Sequence, residues 1–436
     1  MPRPGPPDWP GRRPPILTIS LVIVAVLAGG GLFMSGYSMG RQAGAEPGTP
    51  LNEDEAFRPF WDTYHTITDR YAGGEVNRDE LVQGAVSGMI DALGDPYSSY
   101  LSIRQYRESL QGIGGEFEGI GAQLSSRASD GTAGCTPLGS TCQLLIVAPL
   151  AGSPAMQADL RPGDVVLAAD GVSFEGLTVD AALDRIRGPK GTVVTLLVRR
   201  GVRDDLALRI TRDVIQQEEV TSRELDGGRL GYVRLIGFSD RGAAELETAL
   251  AAHLEAGRTK LILDLRGNPG GYVTAAREVA SQFIGSGVLF WEQDADGGQT
   301  PTEARSGGVA TDPAIEVVCL IDGGSASASE IVAGALQDSG RARIVGQPSF
   351  GKGTVQQWQE LTGEGGAFRL TVARWLTPHK RWIHGTGLIP DVAVSLPVTM
   401  PAGEDPTLDR AVELLTGQAS SGAGWQMAAR SERLAA

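Results

Sequence analysis

The chain has 436 residues, of which 41% are hydrophobic and 21% are charged. This length and composition predict a globular protein of two or three domains with a packed core. The formal net charge is −14, and it argues against sequence-independent binding of nucleic acid, which needs a basic surface that neutralises phosphates.

The N-terminal part of the chain contains a long apolar run. Residues 16–40 carry no charge, and a helix of this length can cross a hydrocarbon layer of about 30 Å. Three arginines precede the run and several acidic residues follow it, so the positive-inside rule predicts that residues 1–15 are a cytoplasmic tail. A cleaved signal sequence stays open as the alternative, because residues 43–45 have the small-x-small form of a cleavage site. We expect an uncleaved single-pass anchor in the cytoplasmic membrane, a linker at 41–54, and the rest of the chain in the periplasm or at the cell exterior.

The cysteines and histidines bear on disulfides and metal sites. Cys135 and Cys142 lie in a polar insert and can close a small loop in an oxidising compartment, although the sequence leaves open whether they pair. Cys319 lies in the apolar run V-V-C-L-I, which is typical of a small buried residue. There is no C-x-x-C pair and no H-E-x-x-H, so we predict neither a metal site nor a cofactor.

Residues 55–107 have the pattern of helices. Aromatic and aliphatic residues from Phe57 to Tyr71 recur at spacings of three and four, and residues 81–93 repeat this pattern. The turn L-G-D-P-Y-S-S-Y at 93–100 follows. We predict a small N-terminal helical module.

Residues 108–204 consist of short β-like runs separated by glycine turns. The stretch A-D-L-R-P-G-D-V-V-L-A-A-D-G at 158–171 resembles the equivalent part of bacterial PDZ domains, and the polar insert with its two cysteines departs from that pattern. PDZ domains bind an extended peptide by strand addition at a sheet edge, and backbone N–H groups receive its terminal carboxylate. We expect Gly119, Ile120 and Gly121 to form this carboxylate loop, with a glycine turn that binds nothing as the alternative.

Strand-like and helix-like segments alternate in residues 205–396, which predicts an α/β domain with a largely parallel sheet. Sites in such sheets form where loops leave the C-terminal ends of the strands. Three such loops carry candidate chemistry: R-G-N-P-G-G at 266–271, G-G-S-A-S-A-S-E at 323–330 and G-Q-P-S-F-G-K-G at 346–353.

The loop at 346–353 is not a phosphate-binding loop. Gly353 occupies the position where that motif has Ser or Thr, and β-branched residues then open a strand rather than a helix. Lys352 is instead a candidate general base, because Phe350 and glycines flank it and no acidic residue lies within seven positions. A base role requires desolvation to lower the lysine pKa from about 10.4. Gln356 projects to the same side of the following strand, where its amide can orient the amine.

The serine stretch has two interpretations. Ser327 and Glu330 have the spacing of a capping box, in which each side chain binds a backbone N–H of the first helical turn. Alternatively, one serine is a nucleophile at a helix N-terminus, where free N–H groups stabilise an oxyanion.

Together these motifs resemble the carboxyl-terminal processing peptidases, or tail-specific proteases. The resemblance rests on S-A-S-A-S-E-I, on F-G-K-G-T-V-Q-Q about 25 residues later, on D-L-R-G-N-P-G-G, and on the preceding PDZ-like segment. It implies that Ser327 is the nucleophile, Lys352 the base and Gln356 its partner, with the N–H groups of Gly271 and Ala328 as the oxyanion hole. It also implies a serine endopeptidase that selects protein substrates by their C-terminal region, in protein processing, quality control or signalling proteolysis.

Arg187, near the end of the PDZ-like segment, is a candidate for reporting peptide occupancy to the peptidase domain. The simpler interpretation is a solvated helix end. The C-terminal segment 397–436 carries one amphipathic helix, and the resemblance makes that helix a candidate contact of a homodimer.

Two rival functions stay open. One is a Ser-His protease with His379 or His384 as base and Asp391 as the orienting acid. The other is a PDZ receptor that binds C-termini at the membrane and catalyses nothing.

Overall fold

The computed structural model describes Gly5 and residues 54–131, 134–201, 204–363, 365–396 and 403–417. The predicted cytoplasmic tail, the apolar run at 16–40, nearly all of the linker and the chain after residue 417 lie outside these ranges. Within the described ranges, no helix combines the length and apolar character that crossing a bilayer requires.

The elements are as follows. In chain order the helices are α1 (Asp54–Arg70), α2 (Arg78–Asp91), α3 (Ile103–Ile113), α4 (Pro154–Gln157), α5 (Val179–Ile186), α6 (Asp240–Glu255), α7 (Val273–Ser281), α8 (Ala328–Asp338) and α9 (Pro406–Thr416). The strands are β1 (Ser99–Leu101), β2 (Glu116–Gly119), β3 (Ala122–Ala128), β4 (Cys142–Pro149), β5 (Val165–Ala169), β6 (Val172–Ser173), β7 (Val193–Arg200), β8 (Asp204–Thr211), β9 (Asp213–Gln216), β10 (Val220–Leu225), β11 (Leu230–Leu235), β12 (Lys260–Asp264), β13 (Val288–Gln293), β14 (Gln299–Glu303), β15 (Glu316–Ile321), β16 (Arg343–Gly346), β17 (Thr354–Glu360), β18 (Ala367–Leu376) and β19 (Val392–Ala393).

Contacts divide the chain into two compact units, one up to Met89 and one from Ile90 onward. The first unit contains α1, and the rings of neighbouring aromatic residues in α1 meet edge to face, as Phe60 and Trp61 do at 5.0 Å between centroids. The helical pattern predicted for this part of the chain is therefore present.

The end of the predicted helical module differs from the structure. Ser99–Leu101 is a strand, β1, which pairs with β18 in the second unit, and α3 then begins after the capping residue Ser102. A three-residue strand has too few positions for an alternating pattern, so only its pairing partner reveals it.

The PDZ-like segment forms a sheet in the order β3-β4-β5-β7-β8, and β6 pairs with β5. Apolar residues of this sheet, such as Leu144 and Val198, share one core with Ala182 and Ile186 of α5. The sheet extends beyond the predicted boundary at residue 204, because β8 pairs with β7 along its whole length up to Thr211.

The α/β domain has the predicted parallel sheet, in the order β10-β11-β12-β15-β16-β19, and all of its pairs except β10–β11 are parallel. Successive residues of β15 point to opposite faces: Val317 and Cys319 lie in the core with α6, α7 and α8, whereas Val318 and Leu320 pack with α9. The apolar residues of α9 are thus buried within the same chain. The prediction of a multidomain α/β protein with a β-rich domain before the α/β domain is confirmed.

A second, antiparallel sheet has the order β1-β18-β13-β14, and β17 pairs with β18 as an antiparallel hairpin. Neither β13 nor β14 is predicted from the sequence. The sequence of β14, Q-T-P-T-E, is almost entirely exposed and has no apolar alternation, so it gives no strand pattern.

Candidate active site

Three loops meet at one edge of the parallel sheet. They follow the C-terminal ends of β12, β15 and β16, which are neighbouring strands. Backbone hydrogen bonds join them, since the Ala326 N–H donates to Asn268 O (3.0 Å) and the Phe350 N–H donates to Ser325 O (3.0 Å). The three candidate loops of the sequence therefore form one site.

The three serines of the second loop have different environments. Ser325 and Ser329 are completely buried, and their hydroxyls donate to backbone oxygens of the first loop region, Leu265 O at 2.7 Å and Asn268 O at 2.8 Å. Ser327 is half-buried. The flanking serines thus hold loops together, and Ser327 is the serine with access to solvent.

Ser327 lies on a strained turn between β15 and α8. Its backbone has φ 56° and ψ −113°, a conformation that costs a non-glycine residue free energy and persists only when its surroundings enforce it. The nucleophile of α/β-hydrolases lies on the same kind of sharp strand-to-helix turn, which presents its hydroxyl. Gly270 packs against this turn, and a Cβ on Gly270 would lie only 2.9 Å from the Cβ of Ser327. Glycine is needed at position 270 for this close approach.

Glu330 connects the serine loop to the lysine loop. Its carboxylate is completely buried and accepts from the N–H groups of Ser327 (2.8 Å), Lys352 (2.9 Å) and Gly351 (2.7 Å) and from the hydroxyl of Ser349 (2.6 Å). All four partners are donors, which fits an ionised carboxylate. The capping contact and the nucleophile hypothesis are therefore compatible, because the same carboxylate caps α8 and aligns the two loops.

Lys352 has a perturbed environment. Burial lowers the pKa of Lys352, the positive charge of Arg369 lowers it further, and the negative charges of Glu330 and Asp95 oppose this shift. Phe350 is itself 55% exposed, and its share in this desolvation stays a prediction. The ring of Tyr97 lies 5.4 Å from Nζ.

Gln356 is held by threonines. Its Nε2 donates to Thr354 Oγ1 (2.9 Å) and Thr371 Oγ1 (3.1 Å), and no hydrogen bond joins it to the Lys352 amine in the described residues. An extra residue in β18, Val372, places Thr371 opposite Gln356. The predicted contact between Gln356 and the amine thus stays a prediction.

The turn that contains Asp95 was missed as part of the site. Asp95 Oδ2 accepts from Thr371 Oγ1 (2.6 Å) and Ser98 Oγ (2.6 Å), so this carboxylate supports the threonine that binds Gln356. Burial raises the pKa of Asp95, but the hydrogen bonds from Ser98 and Thr371 outweigh burial and hold the pKa below its usual value. The motif D-P-Y-S-S-Y was visible in the sequence, but nothing local linked it to a hairpin more than 250 residues away.

The predicted oxyanion-hole residues lie beside Ser327. Ala328 is the first residue of α8, and Gly271 closes the first loop, where a Cβ would overlap Phe238 O. The Phe238 N–H donates to Gly270 O, and Phe238 O accepts from the Tyr272 N–H. Neither of these two hydrogen bonds uses the Gly271 N–H. In the part of the chain that the structure describes, neither the Gly271 N–H nor the Ala328 N–H donates to another protein group.

The histidine alternative receives no support. His379 is exposed and lies 3.6 Å from Asp338, and His384 Nδ1 accepts from the Gly353 N–H at 3.3 Å. Asp391 binds the Ile344 N–H and Gln337 instead.

The predicted carboxylate loop spans the end of one strand and the turn that follows it. Gly119 is the last residue of β2, whereas Ile120 and Gly121 form the turn before β3, and their N–H groups have no protein acceptor in the described residues. Gly121 has φ +71°, and a Cβ there would come within 2.5 Å of Ser153, so glycine is required. Beside this loop, Leu150–Pro154 and Arg209–Gln216 line a cavity of about 560 Å³.

Arg187 ends α5. Its side chain is exposed, and its guanidinium makes no hydrogen bond or ion pair within the described ranges. Among the same residues there is no cluster of three or more potential metal ligands.

Glu330→Gln is expected to lower kcat/KM by about 10²-fold and the free energy of unfolding by about 2–3 kcal/mol. The amide would replace a carboxylate that accepts several charge-assisted hydrogen bonds, and its NH₂ group would point at groups that are themselves donors. Peptidase assays and thermal unfolding measure the two effects. The exposed Glu303→Gln is the matched control. Full activity of the Glu330 variant would show that the two loops align without this carboxylate.

Comparison with known proteins assigns families to the described domains. The model of peptidase family S41 matches residues 229–394, a PDZ domain model matches 145–200, and the model described as the activating protease CtpB N-terminal domain matches 36–104.

Two curated relatives and one solved structure are similar along most of the chain. The carboxy-terminal processing protease CtpA of Bacillus subtilis (strain 168) is 35% identical over 386 residues, which is 88% of this chain and 77% of that protein. CtpB of the same strain is 32% identical over 397 residues, covering 87% and 79%. A solved photosystem II D1 C-terminal processing protease is 27% identical and covers 85% of this chain and 93% of that chain, with a TM-score of 0.49. By its identity to CtpA and CtpB, the chain belongs to the carboxy-terminal processing proteases of peptidase family S41 and is a serine-type peptidase with a PDZ domain.

Proposed function

We propose that the chain is an extracytoplasmic endopeptidase that cleaves proteins selected by their C-terminal region, with Ser327 as nucleophile and Lys352 as general base. The observation that carries this proposal is the buried Glu330 carboxylate, which holds the backbone N–H groups of both residues while Ser327 occupies a strained turn. A helix cap alone does not require a link between Ser327 and the loop of a buried lysine, and Glu330 provides that link.

The proposed reaction is acyl transfer. Neutral Lys352 takes the proton of the Ser327 hydroxyl as Oγ attacks the scissile carbonyl carbon, and the N–H groups of Gly271 and Ala328 stabilise the oxyanion. Protonated Lys352 then gives its proton to the departing amine, and the acyl-enzyme forms. Water attacks this ester with Lys352 again as base, which releases the new C-terminus and restores Ser327.

Gln356 acts in this proposal as a positioning residue. Because Thr354 and Thr371 hold its Nε2, the amide oxygen is the group left to accept from the Lys352 amine. An uncharged acceptor orients the amine without stabilising its protonated form.

The PDZ domain selects substrates in this proposal. The N–H groups of Ile120 and Gly121 are available for a terminal carboxylate at the start of β3, which is an edge strand of its sheet. Arg187 is exposed, and its guanidinium makes no hydrogen bond or ion pair in the described residues, so it can form a new contact when a tail binds.

An extracytoplasmic location is part of the proposal. The structure contains a disulfide between Cys135 and Cys142, which favours an oxidising compartment, and the apolar run at 16–40 has the length of an anchor. Homodimerisation and the class of cellular substrate stay predictions from the sequence.

Cleavage of one unfolded reporter, made with either an apolar or a charged C-terminal tail, tests this function. We expect the full chain in detergent to cleave the apolar-tailed reporter faster, and the Ser327→Ala protein to cleave neither. Cleavage at equal rates for both tails would contradict selection by the C-terminus, and cleavage by the Ser327→Ala protein would contradict the nucleophile.

A further inference from the structure

The polar insert of the PDZ domain reaches the edge strand on which a substrate tail would lie. β3 is the last strand of its sheet and pairs only with β4 in the described residues. The Ser129 N–H donates to Thr141 O. In an antiparallel pair every second residue of a strand bonds to the same neighbour, so the residues of β3 that bond to β4 are the odd-numbered ones. By this alternation Leu124, Ser126 and Ala128 direct their backbone N–H and C=O groups to the free edge.

The insert already occupies the distal part of that edge. Beyond β3 the chain turns back, so that the Gly131 N–H donates to Ala128 O and the Gly134 N–H donates to Ser126 O, both at 2.9 Å. The Ser126 hydroxyl also donates to Cys135 O at 2.8 Å, and Ser126 is buried. In the described residues, Ala122 and Leu124 are the residues of β3 on this edge whose backbone groups stay available for another strand.

The insert segment, residues 134–141, is anchored rather than loosely placed. Cys135 is bonded to Cys142 at the start of β4. Leu138 is 4% exposed, packs in the PDZ core, donates its N–H to Leu177 O (2.9 Å) and accepts from the Gly176 N–H (2.8 Å). Gly176 and Leu177 lead directly into α5, so the insert segment connects the free edge of β3 to the beginning of that helix.

We propose that the insert segment is a built-in stop at the distal end of the peptide groove, so that the PDZ domain pairs with only about the last three residues of a substrate tail. The proposal rests on tail binding at the Ile120–Gly121 turn, as proposed above. Backbone pairing between two strands repeats at every second residue. In a substrate tail whose carboxylate is bound at this turn, the third residue from the C-terminus therefore lies opposite Leu124, and the fifth would lie opposite Ser126. The carbonyl of Ser126 is already bonded to Gly134.

The consequence is a short recognition sequence. Residues before the last three turn away from the sheet, and their side chains contribute little to affinity. The residues along the open part of the edge, Ile120, Ala122 and Leu124, lie in or pack against the apolar core of the PDZ domain, so the tail residues that are read should be apolar. A short apolar ending occurs in many unfolded or newly exposed chains, which suits a protease with broad substrates.

A scan of N-methylated peptides tests the stop. An apolar-tailed decapeptide is prepared with a single backbone N-methyl group at the third or the fifth residue from the end, and binding to the full-length Ser327→Ala chain is measured by fluorescence anisotropy. We expect the methyl group at the third residue to weaken binding roughly 3- to 10-fold, as the loss of one hydrogen bond does, and the one at the fifth residue to have no effect. Weakening by the methyl group at the fifth residue would overturn the proposal.

A shortened hairpin provides the matched variant. Residues 130–140 are replaced by Asn-Gly between the bonded pair Ser129 and Thr141, which suits a type I′ turn, and Cys142 is changed to Ser. In this variant the methyl group at the fifth residue should weaken binding roughly 3- to 10-fold, and an unchanged pattern would overturn the proposal. If the variant does not fold, the scan on the full insert still decides.

The two proposals fail differently. If no peptide binds, or if blocking the terminal carboxylate of the peptide leaves its affinity unchanged, the proposal that the PDZ domain binds C-terminal tails is wrong. The proposal of a stop is then wrong as well, because it depends on tail binding. If the tail binds through its carboxylate but also pairs at the fifth residue, only the stop is wrong.

Discussion

Ser327→Ala is expected to reduce cleavage by about 10⁴-fold or more, because loss of a nucleophilic serine removes the covalent route and leaves only binding and oxyanion stabilisation. Its effect on the free energy of unfolding should not exceed the roughly 1 kcal/mol typical of a helix N-cap. Steady-state cleavage of a fluorogenic peptide and thermal unfolding measure the two quantities on the same preparation.

The neighbouring serines are the matched controls for this prediction. Ser325→Ala leaves Leu265 O and the Asp322 N–H without their buried hydroxyl partner, so it should cost about 1–3 kcal/mol of stability. The Ser325 variant should therefore lose stability and keep most of its activity at a temperature where it is folded. The reverse pattern, with activity kept in the Ser327 variant and lost in the Ser325 variant, would move the nucleophile to Ser325.

Lys352→Gln is the second large expected effect, a loss of about 10³-fold or more in kcat, since general-base catalysis contributes about 10²–10⁴-fold and the nucleophile also depends on this base. Lys380→Gln is the matched control, because Lys380 is exposed and lies over the ring of Trp291. A Lys352→Gln protein with normal activity would return the role of base to a histidine.

The pH dependence follows from the direction of the shift in the pKa of Lys352. The base must be neutral, so kcat/KM should rise with pH and level off above the pKa of Lys352. Burial and Arg369 lower this pKa, so the rise should have its midpoint below the usual lysine value of about 10.4. A profile that falls across this range would exclude lysine as the base.

The lowered pKa of Lys352 also makes the free energy of unfolding depend on pH. Between the lowered pKa of the folded protein and the usual pKa of the unfolded chain, the unfolded state binds more protons, and stability therefore rises with pH. Lys352→Met should thus stabilise the protein most at pH values below the lowered pKa of the folded state, and this gain in the free energy of unfolding should shrink as the pH rises toward the usual lysine pKa of about 10.4. This readout depends on burial of the amine and not on catalysis.

Periodicity and motif spacing predicted the parallel strands, the helices between them and the three loops at the strand ends. These features are encoded locally. After Glu316, β15 is an uninterrupted apolar run, as a doubly covered parallel strand must be, and the loops have glycine at five positions of positive φ, namely Gly267, Gly270, Gly271, Gly346 and Gly351. The resemblance to the tail-specific proteases rested on these loops, and the family assignment confirmed it.

Contacts between residues far apart in sequence required the tertiary structure. Glu330 was visible as a cap, but its bonds to Gly351 and Lys352 exist only because β15 and β16 are neighbours. Asp95 reaches the site because β1 pairs with β18, and β1 is too short to give a pattern.

The sequence by itself therefore determined which residues are candidates for the chemistry and in which class of fold they lie, because side-chain type and local spacing decide both. Tertiary structure alone decided which groups hold these residues in place, and that the polar insert lies on the free edge of β3. Such contacts depend on the distance between atoms in the folded chain, and this distance leaves no periodic trace along the sequence.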